Sequence, residues 1–294
     1  MGVEASTLAF RPPTPSTYSL LPAAAGGALL RFSDGWTPQL GLRSPRCPIR
    51  INVPPSPEAQ AGLTYSCSLL ATGAPALHVR HPAGARRLTL LYAHGTSFDL
   101  GIMRDHIAAL AAATNTNVLA YDYRGYGAAR AHKPSERAAN EDADAALSSL
   151  LAGGVPIESV VLYGLSLGTA PTMHLAAGTG AGAAGVVIRS GFLSALAVVM
   201  GRPGSSLPGS PFNNAAAARH VHAPVLVIHG HEDELIGLWQ AERLVQLCRR
   251  AVPPLLLEKR GHFDVESSPH FLPRLQRFLD HELRTDAACE SPRK

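Results

Sequence analysis

The stretch Ser159-Val-Val-Leu-Tyr-Gly-Leu-Ser-Leu-Gly168 decides the fold of this chain. Its first five residues are an apolar run of the kind that forms a buried strand. The run leads directly into Gly-x-Ser-x-Gly, which between a strand and a helix forms a sharp turn that holds Ser166 strained, with its hydroxyl exposed. Glycine is expected at 164 and 168, because a side chain there would collide with the neighbouring strand or helix. Glycine-rich chains also produce this pentapeptide by chance, so its surroundings decide what it means.

Strands and helices alternate on both sides of this turn. We predict strands at 88–93, 117–122, 159–163, 185–189, 224–229 and 254–258, helices at 100–113, 136–151, 167–177, 238–249 and 270–283, and a preceding hairpin of 63–70 with 76–80. Alternation with short links predicts a parallel sheet that helices cover on both faces. Together with the turn around Ser166, it predicts the α/β-hydrolase fold, with a mostly parallel central sheet and a short lid segment between the strands at 185–189 and 224–229.

The domain organisation follows from the proline distribution and from this pattern. Residues 1–60 contain ten prolines and little periodicity, which predicts a proline-rich and partly irregular N-terminal arm. The α/β-hydrolase domain is predicted to span 61–284, and residues 285–294 are predicted to form a flexible tail.

The bulk composition excludes several classes of protein. Hydrophobic residues make up 46% of the chain and the net charge is only +4, with no basic cluster, so we expect no nucleic-acid partner. The four cysteines are far apart and suit neither a metal site nor a disulfide framework, and no dinucleotide fingerprint is present. We therefore expect no metal and no cofactor. No apolar run reaches the roughly 18 residues that a membrane span needs, and no secretory signal is evident, so a cytosolic setting is the default expectation.

Three side chains that suit nucleophilic catalysis each follow a predicted strand. In open parallel sheets the active site lies at the carboxyl ends of the strands, and Ser166, Asp233 and His262 all fall there. A serine hydroxyl needs a base, and the base needs a third group that fixes its tautomer, in the chain order serine, acid, histidine. We therefore predict Ser166 as nucleophile, His262 as base and Asp233 as the acid. Glu232 and Glu234 are the alternative acids, and we interpret both as solvated loop charges.

The tetrahedral intermediate of such a reaction needs backbone N–H donors for its oxyanion. We predict that the N–H groups of Leu167, directly after the nucleophile, and of Thr96, in the loop after the strand at 88–93, supply them. His94 precedes this loop, and we expect it to brace the loop rather than to take part in the chemistry.

The lid segment carries apolar residues that suit a long acyl chain. The candidates for an acyl pocket are Phe192, Leu193, Leu196, Met200 and Phe212. The alternative, which the sequence supports equally well, is that they form the ordinary core under the lid.

The N-terminus reads Met1-Gly-Val-Glu-Ala-Ser6, which fits the pattern for N-myristoylation of Gly2. A chance match is the alternative, because the pattern specifies few positions. One myristoyl chain binds membrane only weakly, with an association constant of about 10⁴ M⁻¹, so stable attachment needs a second contact. No cysteine lies near Gly2 to take another lipid.

Several segments resemble one family, the α/β-hydrolase domain 17 proteins, which are palmitoyl-protein thioesterases. The matching segments are 8–22, 94–103, 121–127, 133–136, 162–172, 224–234 and 261–266. Because the chain starts with Met-Gly and has no cysteine cluster ahead of the arm, it resembles the plant or algal branch. It also has Thr96 where the family typically has asparagine, which leaves a backbone donor intact.

The resemblance implies a depalmitoylase with Ser166, Asp233 and His262 as its triad. Its expected partners are palmitoylated protein substrates and a membrane surface, and its expected location is peripheral, on the cytoplasmic face of the plasma or endosomal membrane. A general carboxylesterase or lipase acting on small lipid esters is the alternative with identical machinery. A non-enzymatic scaffold is a third reading, against which the intact triad argues.

Overall fold

The computed structural model describes residues 10–22, 28–32, 62–82 and 87–283. The strands are β1 Tyr18–Pro22, β2 Ala28–Phe32, β3 Thr64–Leu69, β4 Pro75–Arg80, β5 Thr89–Ala93, β6 Asn117–Tyr121, β7 Val160–Leu165, β8 Gly185–Arg189, β9 Val225–Gly230 and β10 Leu255–Leu257. The α-helices are α1 Leu100–Thr114, α2 Glu136–Ala152, α3 Thr169–Ala177, α4 Ala195–Met200, α5 Asn214–Ala218, α6 Leu238–Leu247 and α7 Phe271–Arg277.

Eight of these strands form one sheet in the order β10-β9-β8-β7-β5-β6-β4-β3. All neighbours from β10 to β6 are parallel, whereas β4 runs antiparallel to both β6 and β3. The register aligns Ala93 with Gly164 and Leu165 with Arg189. The carboxyl ends of the central strands therefore meet along one edge, where the residues that follow them come together. The structure confirms the predicted α/β-hydrolase fold.

Helices cover both faces of the sheet, as the near-continuous apolar strands require. Along β7, Val160 and Leu162 point into the core under α2, α3, α5 and α6, while Val161, Tyr163 and Leu165 point into the core under α1 and α7. All six residues of β7 are buried, so the turn that follows it is built on a rigid central element.

The observed elements follow the predicted ones closely, with three differences. The predicted helix at 167–177 begins as a 3₁₀ turn, Ser166–Gly168, before α3. The predicted helix at 270–283 continues past α7 as a π-helical turn, Phe278–Glu282. The antiparallel pair of β1 and β2 was not predicted, although the glycines at 26 and 27 between two short apolar runs are a turn signal. The assignment of 1–60, 61–284 and 285–294 as arm, domain and tail stays a prediction.

Two expectations, those about Gly2 and the cysteines and about a membrane span, concern residues that the structure describes only in part. Gly2 lies outside the described residues, as do Cys47 and Cys289, whereas Cys67 is half-buried in β3 and Cys248 is a buried free thiol. Within the described residues, no helix has the length and hydropathy that crossing a bilayer requires.

A histidine in β4 makes the stability of the fold depend on pH. Burial, together with the charge of Arg80, lowers the pKa of His78 from 6.5 to about 4. A histidine whose pKa is lower in the folded state binds more protons when unfolded, so stability falls as the pH drops from about 6.5 to about 4. We expect His78 to contribute up to about 3 kcal/mol to this loss. Urea unfolding of the protein and of His78→Gln across this range measures it, and equal slopes in both proteins would contradict the prediction.

Candidate active site

The turn after β7 has the strained geometry that the pentapeptide predicts. Ser166 has a φ of 51°, in the left-handed region that non-glycine residues rarely adopt. A Cβ atom on Gly168 would lie 2.0 Å from the carbonyl oxygen of Ala93 in β5, so only glycine lets α3 begin this close to the sheet. The half-buried Ser166 is therefore held at the carboxyl edge of the sheet, between two elements that cannot separate without losing their packing.

The structure brings the three predicted triad residues together at this edge. His262 Nε2 lies 3.0 Å from Ser166 Oγ, and His262 Nδ1 lies 2.8 Å from Asp233 Oδ2. With Nδ1 donating to the carboxylate, Nε2 is left as the acceptor for the serine hydroxyl. The side chains of His262 and Asp233 are buried, so little water competes for these bonds. This arrangement can transfer the serine proton to the imidazole while the carboxylate stabilises the resulting positive charge.

Asp233 is held in place by the loop that carries it. Its Oδ1 accepts from the N–H of Leu235 at 3.0 Å and from that of Ile236 at 2.8 Å, which leaves Oδ2 for His262. Burial raises the pKa of Asp233, but the hydrogen bond and charge of His262 and the Ile236 N–H outweigh burial, and the pKa is lowered overall. The carboxyl group therefore stays ionised, as a partner for an imidazolium requires.

His229 is a neighbour of the site that the sequence analysis did not single out. It lies in β9 with its side chain fully buried, and its Nε2 is 2.7 Å from the Ile236 carbonyl oxygen and 3.3 Å from Asp233 Oδ2. Burial lowers the pKa of His229, which favours the neutral ring. The available signal was a histidine at the end of an otherwise apolar strand, four residues before the predicted acid.

The alternative acids occupy the positions expected of loop charges. Glu232 and Glu234 are both exposed, and Glu234 Oε2 accepts a long, 3.4 Å hydrogen bond from the backbone N–H of His262. Across the ranges that the structure describes, no three His, Cys, Asp or Glu side chains converge in a way that would hold a metal ion.

The loop after β5 lies directly against the nucleophile. A Cβ atom on Gly95, the residue before Thr96, would be 3.5 Å from Ser166 Cβ. The Thr96 carbonyl oxygen accepts from the Tyr126 hydroxyl at 2.9 Å. Leu167 follows Ser166 in the 3₁₀ turn. The assignment of the Thr96 and Leu167 N–H groups as oxyanion donors stays a prediction.

His94 has the position of a brace. It is buried, its Nδ1 donates to the carbonyl oxygen of Gly95 at 2.8 Å, and its Nε2 lies 3.0 Å from Asp122 Oδ1. Both ring nitrogens are engaged in fixing the loop, and neither is available to Ser166.

The five candidates for an acyl pocket differ in how deeply they are buried. Phe192, Leu193 and Phe212 are buried in the core on one face of the sheet, Leu196 is half-buried, and Met200 is 50% exposed. Leu193 also lines a cavity of about 480 Å³ with Arg202, Arg219, Trp239 and Arg243, whose guanidinium groups do not suit an acyl chain. An acyl pocket at these residues stays a prediction, and the buried members have the packing expected of ordinary core.

A buried ion pair between Arg189 and Glu266 supports the loop that carries His262, and it was not predicted from the sequence. Arg189, the last residue of β8, donates from Nη1 to the His262 carbonyl oxygen at 2.6 Å. Its Nε lies 3.5 Å from Oε1 of Glu266, and both side chains are fully buried. Glu266 also accepts from the Tyr163 hydroxyl at 3.3 Å and lies 3.4 Å from His106 Nε2. This network connects the base to strands β7 and β8 and to α1.

Removing one member of this pair should be costly. Arg189→Met leaves the Glu266 carboxylate buried without its cation, and we expect a loss of about 3–5 kcal/mol in the free energy of unfolding. In Arg189→Met/Glu266→Met neither charge of the pair remains, so the double variant should lose less than the sum of the two single variants. Denaturant unfolding of all four proteins completes the cycle, and additivity within about 0.5 kcal/mol would contradict the prediction.

Comparison with known proteins is consistent with this geometry. A model of the alpha/beta hydrolase family matches residues 90–218. Two structural neighbours are an esterase from the bacterial hormone-sensitive lipase family (20% identity, TM-score 0.57, 74% of this chain and 82% of that chain) and a membrane phospholipase A (16% identity, TM-score 0.56, 75% and 87%). At these identities the two structures support the fold and nothing finer.

Relatives found by sequence have a higher identity to this chain than these two structures. Alpha/beta hydrolase domain-containing protein 17C of Mus musculus is 39% identical over 202 residues, which cover 68% of this chain and 62% of the mouse protein. The chain thus spans less than two thirds of that relative. Protein 17B of Homo sapiens is 34% identical over 283 residues, which cover 96% of this chain and 92% of the human protein. The chain therefore belongs to the alpha/beta hydrolase domain-containing protein 17 family.

Proposed function

We propose that this hydrolase removes palmitate from S-acylated cysteines of membrane-associated proteins through an acyl-enzyme on Ser166. One observation carries the proposal: the hydrogen-bonded series Ser166–His262–Asp233 at the carboxyl edge of the sheet. Family membership supports the hydrolase class, and the resemblance of the arm and loop motifs to depalmitoylases supports the choice of a thioester substrate.

The reaction has two halves. In the first, Ser166 Oγ attacks the thioester carbonyl carbon while His262 Nε2 takes the hydroxyl proton, and the N–H groups of Leu167 and Thr96 stabilise the oxyanion. The tetrahedral intermediate collapses with cleavage of the C–S bond, and His262 returns the proton to the departing sulfur. In the second half, His262 takes a proton from water, which attacks the acyl-enzyme, and the fatty acid leaves as the Ser166 hydroxyl re-forms.

Ser166 should react with a fluorophosphonate probe, because phosphonylation uses the same activated oxygen. We expect Ser166→Ala to abolish labelling and to lower ester turnover by a factor on the order of 10⁶, and Asp233→Asn to lower it by about 10⁴. Ser148→Ala, which changes an exposed serine of α2, is the matched control and should label normally. Absence of labelling in the unmutated protein would remove the enzyme interpretation.

The triad does not separate thioesters from oxygen esters, so a carboxylesterase acting on small lipid esters is the second candidate. Turnover of a palmitoylated peptide, compared with turnover of p-nitrophenyl esters by the same preparation, distinguishes the two. We expect palmitate release that depends on Ser166. Good ester hydrolysis without any palmitate release would support the carboxylesterase.

We further propose peripheral attachment to the cytoplasmic face of a membrane, through a myristoyl group on Gly2 and a second, protein contact. Several large apolar side chains in and after α4 are exposed, namely Val198, Val199, Met200 and Leu207. An exposed apolar patch of this kind suits contact with a lipid surface, and it would supplement the weak hold of one acyl chain.

Substitution of Gly2 tests the lipid part of this proposal. Gly2→Ala removes the only residue that N-myristoylation can use, so the protein should shift from the membrane pellet to the soluble fraction. Val3→Ala changes a position that the pattern leaves open and should not alter the distribution. If both variants sediment like the unmutated protein, Gly2 has no such role.

A further inference from the structure

Residues 10–18, called here the arm segment, lie across the loop of residues 94–99, called here the oxyanion loop. The backbone N–H of Arg11 donates to Thr96 Oγ1 at 3.0 Å, near the start of the loop. At its end, Asp99 accepts from the Thr17 N–H at 3.0 Å and from the Thr17 hydroxyl. Asp99 is also the N-cap of α1, where it accepts from the Ile102 N–H. The arm segment therefore holds the loop at both ends.

A buried series of hydrogen bonds leads from the arm segment to the predicted oxyanion donor. The Tyr18 hydroxyl donates to Asp122 Oδ2. Asp122 Oδ1 accepts from the N–H of Leu100 at 3.0 Å and forms a hydrogen bond of 3.0 Å with His94 Nε2. His94 Nδ1 in turn donates to the carbonyl oxygen of Gly95 at 2.8 Å. The side chains of Tyr18, Asp122 and His94 are all buried, so water cannot replace a missing member.

The last bond of this series bears directly on catalysis. The Gly95 carbonyl and the Thr96 N–H belong to one peptide unit, which is planar, so a bond that fixes the direction of the carbonyl also fixes the direction of the N–H. An oxyanion donor contributes most when it is already aimed at the developing charge before the reaction. His94 thus fixes the direction of the Thr96 N–H, and Asp122 fixes the position of His94.

The fit of the arm segment depends on space that two glycines leave open. A Cβ atom on Gly127, whose φ is +48°, would lie 2.2 Å from the Tyr18 hydroxyl oxygen, and one on Gly101 would lie 2.1 Å from Thr17 Oγ1. Phe10, at the other end of the segment, is buried against the rings of Tyr123, Tyr126 and Phe212 at centroid distances of 6.4, 6.0 and 5.7 Å. The arm segment is therefore packed against the residues that surround the oxyanion loop.

We propose that the arm segment is a positioning element of the oxyanion hole, in which Tyr18, through Asp122 and His94, orients the Gly95–Thr96 peptide. Burial raises the pKa of Asp122, and the hydrogen bonds with His94 and Tyr18 oppose that rise. Loss of the Tyr18 hydroxyl therefore makes the ionised form of Asp122, which holds His94, less stable. The inference rests on the proposed function, because it assigns the Thr96 N–H to the reaction.

Tyr18→Phe tests the proposal, since it removes one oxygen and keeps the ring. Loss of an oxyanion donor lowers kcat by about 10²–10³, and a misaligned donor should cost less, so we expect kcat for p-nitrophenyl butyrate to fall about 10- to 100-fold with KM within about twofold. The affinity for a trifluoromethyl ketone, which forms an oxyanion on Ser166, should fall by the same factor as kcat/KM. Rates are normalised to active sites titrated with the fluorophosphonate probe.

Tyr121→Phe is the matched control. It also removes a tyrosine hydroxyl from the core, but one that is buried without a hydrogen-bond partner, so its kcat should match that of the unmutated protein. Thr17→Val removes the hydroxyl hydrogen bond to Asp99 and keeps the one from the backbone N–H, so it should lower kcat about two- to fivefold. It tests the hold of the arm segment on the oxyanion loop if Tyr18→Phe does not fold.

The outcomes separate this inference from the proposed function. Unchanged kcat and unchanged ketone affinity in Tyr18→Phe and Thr17→Val, in a protein whose Ser166 labels normally, would overturn the positioning role and leave the hydrolase intact. A loss of rate that disappears after active-site titration would overturn it as well. Failure of the unmutated protein to label would overturn both.

Discussion

The left-handed backbone at Ser166 is the constraint on which the rest of the site depends. A residue with a φ of 51° is stable only where its surroundings hold it, and here Gly168 does so by lying against the carbonyl oxygen of Ala93. That contact joins the start of α3 to β5, which in turn places the serine beside Gly95. Ser166, the helix α3 that follows it and the predicted oxyanion loop are thus packed into one unit by a single close backbone approach.

Buried polar pairs hold two of the loops around this turn. Asp122 pairs with His94 under the oxyanion loop, and Arg189 and Glu266 support the loop that carries His262. Each pair joins residues that are far apart in the chain, and each is buried. Buried polar groups are costly unless every partner is present, so such pairs favour a single arrangement of the loops that catalysis needs.

Much of the fold and the central triad could be predicted because their signals are local. Apolar strands, the glycines around Ser166 and the rule that sites follow strands all appear within short windows, and they predicted that Asp233 and His262 lie near Ser166, as the distances show. The supporting residues could not be predicted in this way. Arg189 ends an apolar strand, and nothing near it indicates that its guanidinium would contact a carbonyl 73 residues further along the chain.

What this sequence determined by itself was the alternation of strands and helices, the strained turn and the identity of the three side chains at the strand ends, since each is encoded by neighbouring residues. The tertiary structure alone decided which distant groups complete the site. Tyr18 reaches Asp122 across 104 positions, and Arg189 reaches the His262 carbonyl oxygen across 73. A buried polar group needs a hydrogen-bond partner, and the fold determines which group lies close enough to serve. The number of residues between two groups does not indicate how far apart they are in the folded chain.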